Sequence, residues 1–195
     1  MSDAHRRPKK PQQVRRKLLA AAADLCAVEG PAALTLDAVS KAVGVSKGGL
    51  LHHFPGRDAL IDALFEDLVG RFDTAIEAAI AADPVAEGRF TRAYVACSLD
   101  LGLSAEGEGW RGLTAAILGV PSLRARWHDW VAAKAERFGA TDGAPRHQLA
   151  RFAADGVWLA DLLGSHDLDA ATRAAIRVEL AALAAPAPPA SGTRP

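Results

Sequence analysis

The chain has 195 residues, half of them apolar, and no net charge at neutral pH. That length and composition admit one or two folded domains and exclude global disorder, and no apolar run reaches the ~18 residues a membrane span needs. The balanced charge hides an asymmetry: residues 1–57 carry ten Lys/Arg against four Asp/Glu, and the surplus reverses in the remainder, so a segment suited to polyanions precedes an acidic body.

In chain order, residues 1–10 read as a disordered basic arm. From Pro11, the apolar residues Val14, Leu18, Ala21, Leu25 and Val28 follow helical spacing, with Arg15, Arg16 and Lys17 on the outer side and Gly30-Pro31 as the stop. Thr35 is a suitable N-cap for a second helix carrying Leu36, Val39 and Val43, which Gly44 ends. Ser46 can cap a short third helix through His53, stopped by Pro55-Gly56. A long fourth helix begins at Arg57 or Asp58 and carries Leu60, Leu64, Leu68, Phe72 and Ile76. Further helices are predicted over 85–103, 108–119, 121–138, 145–164 and 168–185, and a Pro/Ala/Ser tail over 186–195. Alanine dominates and no alternating Val/Ile strand occurs, so the predicted class is all-α. The predicted domains are 11–56 and 57–185.

Two short helices joined by a tight turn at Gly44, the second opening with Ser46 and Lys47, have the logic of a helix-turn-helix that presents its second helix to the major groove. Lys47 can reach a phosphate or a guanine edge. Gly48 and Gly49 weaken a helix, and close approach to the DNA backbone offsets that loss. His52 and His53 do not suit a shared metal ion, because neighbouring side chains on a helix diverge by about 100°; one is expected to face phosphate and the other to pack with Phe54. The stretch "TLDAVSKAVGVSKGGLLHHFPGRDALIDAL" resembles the N-terminal domain of the tetracycline-repressor (TetR) family, through Thr35, the Gly44-Val45-Ser46 turn, Lys47-Gly48, His53-Phe54 and Arg57. The resemblance covers roughly residues 12–65. It implies an all-α homodimeric repressor in which residues 11–56 bind DNA and residues 57–185 bind a ligand and dimerise, with a small-molecule effector and a near-palindromic DNA operator. It also implies that Thr35, Ser46, Lys47, Gly48, Gly49, His52 and Arg57 face DNA. Two positions depart from the family pattern: Leu51 replaces a tyrosine that touches phosphate, and Ser40 replaces a small alanine.

All four tryptophans and the only tyrosine lie after residue 93. Phe72, Phe90, Tyr94, Cys97, Trp110, Ile117, Trp127, Trp130 and Phe152 are the candidate lining of an apolar pocket, with His128 and His147 as candidate polar handles. The expected effector is apolar or aromatic. Leu149, Phe152, Gly156, Leu159 and Leu163, with Ala174, Ile176, Leu180 and Leu183, suit a homodimer contact through the last two helices. No phosphate loop, catalytic triad or metal motif occurs, so neither an enzyme nor a cofactor is expected; "SHDLD" at 165–169 reads as a helix cap at Ser165 or Asp167. Cys26 and Cys97 fit a reducing compartment, and without an export signal the expected location is cytoplasmic. A ligand-responsive activator and an architectural DNA binder remain alternatives to the repressor.

Overall fold

A computed structural model describes residues 9–104 and 107–186. Among these are nine α-helices and no strand: α1 (Lys9–Glu29), α2 (Leu36–Val43), α3 (Lys47–His53), α4 (Arg57–Ala82), α5 (Arg89–Leu101), α6 (Gly107–Gly119), α7 (Pro121–Asp142), α8 (Pro145–Leu163) and α9 (Ala170–Leu183), with a 3-10 turn at Pro31–Ala33. The all-α class is as predicted. The expected arm lies outside the described residues except for Lys9 and Lys10, which open α1, and the expected tail does so except for Pro186.

Contacts divide the chain into two compact units. One compact unit runs to Arg71 and includes Ser104–Trp130; the other comprises Phe72–Leu103 and the chain from Val131. Helices α4 and α7 therefore each contribute to both units.

In the first unit the buried stripe of α1 is Leu18, Leu19, Ala22, Ala23 and Cys26. This corrects the sequence expectation: Val28 is 82% exposed, and Ala21 and Leu25 are only half-buried. The stripe turns because α6 approaches α1 backbone to backbone. A Cβ on Gly112 would stand 2.0 Å from the Ala23 carbonyl oxygen, and one on Gly119 2.7 Å from the Pro31 ring, so small residues must face this seam. On α4, Leu60, Ile61, Leu64, Phe65 and Leu68 are buried. The Arg126 guanidinium lies 4.4 Å from the Phe65 ring centre and reaches Asp62 at 3.0 Å. Trp127 and Trp130 stack at 5.1 Å.

The second unit is built on Val95, Leu99, Ala150, Ala154 and Leu180, with Val157 and Ile176 packed against them. Helix α5 begins at Arg89, later than predicted, because Arg92 fixes the preceding segment as a loop. Its guanidinium donates to the Asp83 carboxylate and to the carbonyls of Val85, Glu87 and Ala184, and Gly88 takes φ 72°. Asp169, not Ser165 or Asp167, caps α9 by accepting from the Thr172 N–H at 2.7 Å.

Candidate nucleic-acid interface

The turn between α2 and α3 forms from the residues whose backbone and capping chemistry it needs. Gly44 adopts the left-handed conformation, φ 72° and ψ 32°, that glycine enters without strain. Its N–H donates to the Lys41 carbonyl at 3.3 Å, and the Val45 N–H donates to the Ser40 carbonyl at 3.0 Å, closing the end of α2. At the helix starts, Thr35 Oγ1 accepts from the Ala38 N–H and Ser46 Oγ from the Gly49 N–H, both at 3.1 Å. Val39, Leu50 and Phe54 are buried and anchor the pair of helices. The Arg15 guanidinium lies 5.2 Å from the Phe54 ring centre, so this cation is at least partly engaged in packing.

Thr35, Ser46, Lys47, Gly48, Gly49 and His52 are all exposed. A Cβ on Gly48 would meet nothing within 4 Å, whereas one on Gly49 would stand 3.3 Å from the Ser46 hydroxyl that caps its own N–H. Glycine at 49 thus leaves the cap room, and glycine at 48 leaves an open surface. Leu51 is 40% exposed. His53 is half-buried beside Phe54, with ring centres 6.4 Å apart.

Arg57 is placed differently from the other expected contacts. Its Nε donates to the Leu34 carbonyl and its Nη2 to the Pro31 carbonyl, both at 2.7 Å. Two of its donor groups therefore tie the start of α4 to the segment that leads into α2. Sequence reasoning also missed Asp37, whose carboxylate lies 3.1 Å from Lys47 Nζ. The available signal was its isolation: it is the only acidic residue between Glu29 and Asp58.

The nine candidate pocket residues are divided between the two units. In the first, Trp110 is buried, Trp127 and Trp130 stack on one another, and Ile117 is half-buried. A crevice of about 440 Å3 in this unit is lined instead by α1, α4 and α6, with Leu19, Leu64 and Leu68 as apolar wall and Arg16, Asp24 and Glu108 among its polar groups. In the second, Phe72 and Phe90 pack on Tyr94 at 5.8 and 5.9 Å, and Phe138, absent from the expected set, stacks on Phe90 at 4.8 Å. Cys97 is half-buried, and burial raises its thiol pKa. Phe152 is 69% exposed, because α8 turns His147, Ala150 and Ala154 inward and 152 lies on the opposite side.

A polar group crosses this second unit. The Tyr94 hydroxyl donates to Asp155 at 2.6 Å. Burial, then the adjacent carboxylate, holds the phenol well above its ordinary pKa. Asp155 is exposed as a residue, yet desolvation of its carboxyl raises its pKa. Arg151 donates to Thr91 Oγ1 at 2.6 Å, and the buried Asp142 accepts from the Thr91 N–H at 2.7 Å. Of the two candidate handles, His128 is exposed and His147 has no exposed surface.

Comparison with known proteins bears on both halves of the chain. Residues 18–64 match the sequence profile described as bacterial regulatory proteins of the tetR family. Residues 88–185 match that of the tetracyclin repressor-like C-terminal domain. A search of curated proteins finds no match. Among solved structures, a TetR-family transcriptional regulator from Streptomyces coelicolor is similar at TM-score 0.68 and 21% identity, covering 89% of each chain. A TetR-like transcriptional regulator from Rhodococcus is similar at TM-score 0.59 and 22% identity, covering 88% of this chain and 93% of that one. The multidrug binding protein EbrR, solved with imidazole, is similar at TM-score 0.57 and 22% identity, covering 91% and 98%. With a helix-turn-helix at its start and family profiles over both parts, the chain belongs to the TetR family of DNA-binding transcriptional regulators.

Proposed function

We propose that the protein is a ligand-released repressor that acts as a homodimer, each protomer placing α3 in the major groove of one half of a near-palindromic operator. The observation that carries this reading is the shared exposure of Thr35, Ser46, Lys47, Gly48, Gly49 and His52 around the start of α3. The hydroxyls of Thr35 and Ser46 accept from the backbone through their oxygens and keep their own protons to donate to phosphate. Open space over Gly48 supports close approach of the DNA backbone. Arg57 is left out of the contact set, because two of its donor groups serve the protein's own carbonyls.

For dimerisation, the exposed stripe Leu149, Phe152, Leu159 and Leu163 on α8 and Val178 on α9 supplies the apolar face. Ile176 and Leu180, also expected there, pack in the protomer's own core. For the effector, we favour a small apolar or aromatic molecule bound beside Phe72, Phe90 and Tyr94, with Tyr94 and Asp155 as its polar partners. The description of EbrR as multidrug-binding supports a small-molecule effector. Helix α4 contributes to both units and is the proposed route by which an effector changes the spacing of the two α3 helices.

The test is selection of duplexes from a random-sequence library with the purified protein, followed by salt-dependent binding to the winner. Enrichment of paired inverted half-sites, with affinity falling steeply as salt rises, is the expected result. Recovery of no common sequence would sink the reading. A reporter placed behind the selected duplex then separates repression from activation by the sign of its response.

A further inference from the structure

The basic first part of the chain keeps a single carboxylate where it is expected to meet DNA. Asp37 is the only acidic residue between Glu29 and Asp58. It lies in the first turn of α2, where a negative charge suits the positive end of the helix dipole. That accounts for an acid at this position but not for its partner. Its Oδ1 stands 3.1 Å from the Nζ of Lys47 at the start of α3, with side chains 74% and 59% exposed. The pair joins the starts of the two helices of the helix-turn-helix. An exposed ion pair contributes little to stability, so its consequence lies in what it does to Lys47.

A free lysine is a mobile point charge and goes to the nearest phosphate. Lys47 paired with Asp37 has its charge already offset, so it gains less from a phosphate, and its approach brings the carboxylate close to a polyanion. A guanine edge is neutral and asks for donors rather than net charge: the ammonium has three, and two remain for O6 and N7 while one stays on Asp37.

We propose that Asp37 is a specificity-determining positioning residue, which holds Lys47 away from phosphates and leaves it available to a base edge. This rests on the DNA-reading surface proposed above. The pair lowers affinity for arbitrary DNA and preserves it for the operator, so Asp37 raises the ratio of the two.

The experiment measures Kd across a salt series for the selected duplex and for a scrambled duplex of equal length. It compares the wild type, Asp37→Asn, Asp37→Glu, Lys47→Ala and the double variant Asp37→Asn/Lys47→Ala. Asp37→Asn is expected to bind scrambled DNA about threefold more tightly, the scale of one exposed pair, and with a salt slope steeper by about one unit. Its operator affinity stays level or falls, so discrimination drops. Asp37→Glu restores most of it. In the Lys47→Ala background, Asp37→Asn no longer changes discrimination. Equal tightening on both duplexes would reduce Asp37 to general repulsion and overturn the proposal, as would unchanged binding or an effect that persists without Lys47. A wild type that fails to distinguish the two duplexes overturns the underlying reading as well, and that is visible before any variant is made.

Discussion

Arg57 shows how one side chain can be tied to local structure. Its Nε and Nη2 hold the carbonyls of Leu34 and Pro31, the segment that delivers Thr35 to the start of α2. Arg57→Gln is expected to cost about 1–2 kcal/mol in denaturant unfolding, since charged hydrogen bonds contribute more than neutral ones but this site is partly solvated. The salt slope of DNA binding should stay where it is. A slope reduced by about 0.9 would mean that Arg57 touches phosphate after all.

His147 is the second instructive residue. It has no exposed surface, and Arg146 Nε donates to its Nε2 at 3.2 Å, which leaves the ring proton on Nδ1, a buried atom without a hydrogen-bond partner. Burial pushes its pKa below the ordinary 6.5; the Asp142 carboxylate opposes this, the Arg146 charge adds to it, and Glu87 and Arg151 contribute smaller, opposed effects. The folded state therefore binds fewer protons than the unfolded state just below pH 6.5, and stability falls as pH drops through that value toward the folded pKa. Thermal unfolding should show the midpoint declining as the pH is lowered from 7 to 5.5, and His147→Gln should flatten that decline. An unchanged decline would assign it to other groups.

At the scale of elements, the α1–α6 seam depends on side chains that are absent. Gly112→Ala would put a methyl 2.0 Å from the Ala23 carbonyl oxygen, and backbone on both sides gives little room to relax. A loss of about 3 kcal/mol in unfolding free energy is expected, the upper part of the range for overpacking. Gly139→Ala on α7 is the counterpart: its Cβ would meet nothing within 4 Å, so the gain in helix propensity should stabilise by about 0.5–1 kcal/mol. Equal effects at the two sites would show that the seam is looser than its backbone contacts imply.

This seam also marks where sequence reading stops. The turn at Gly44, Val45 and Ser46 is legible because its key positions demand a residue type: a left-handed φ at Gly44 and a hydroxyl cap at Ser46. The caps at Thr35 and Ser46 follow from the same local rules. Periodicity alone places the α1 stripe on a rotated face, because which face is buried depends on Gly112, 89 positions after Ala23. Arg57 was out of reach, and Asp37 stood out only by its isolation, which does not name its partner. Their roles depend on where a distant carbonyl and an ammonium come to rest, and spacing does not encode that. Aromatic residues signalled buried volume in the second half of the chain, but not which of them pack together: Phe138 joined Phe90, and Phe152 faced solvent.

For the whole molecule, a basic reading segment and an acidic remainder fit a protein that meets DNA through the first and not the second. In the proposed homodimer, two reading segments reach both half-sites only if the protomers stay together. Phe152→Glu places a charge in the exposed apolar stripe of α8 without disturbing the protomer core. Sedimentation should show a dimer converted to a monomer with its helical content intact. Operator affinity should fall by tenfold or more, on the order expected when two linked contacts become one. A variant that remains dimeric would move the interface away from α8.

The distribution of indoles has an optical consequence. Trp110, Trp127 and Trp130 belong to the first compact unit and Trp158 to the second. The stacked rings of Trp127 and Trp130, 5.1 Å apart and inclined by 21°, are close enough for their excited states to couple. Near-ultraviolet dichroism and tryptophan emission therefore look chiefly at the unit that carries the DNA-reading helices, while far-ultraviolet dichroism averages over every helix. The protein thus carries its own spectroscopic label, by which loosening of the reader can be followed apart from melting of the remainder.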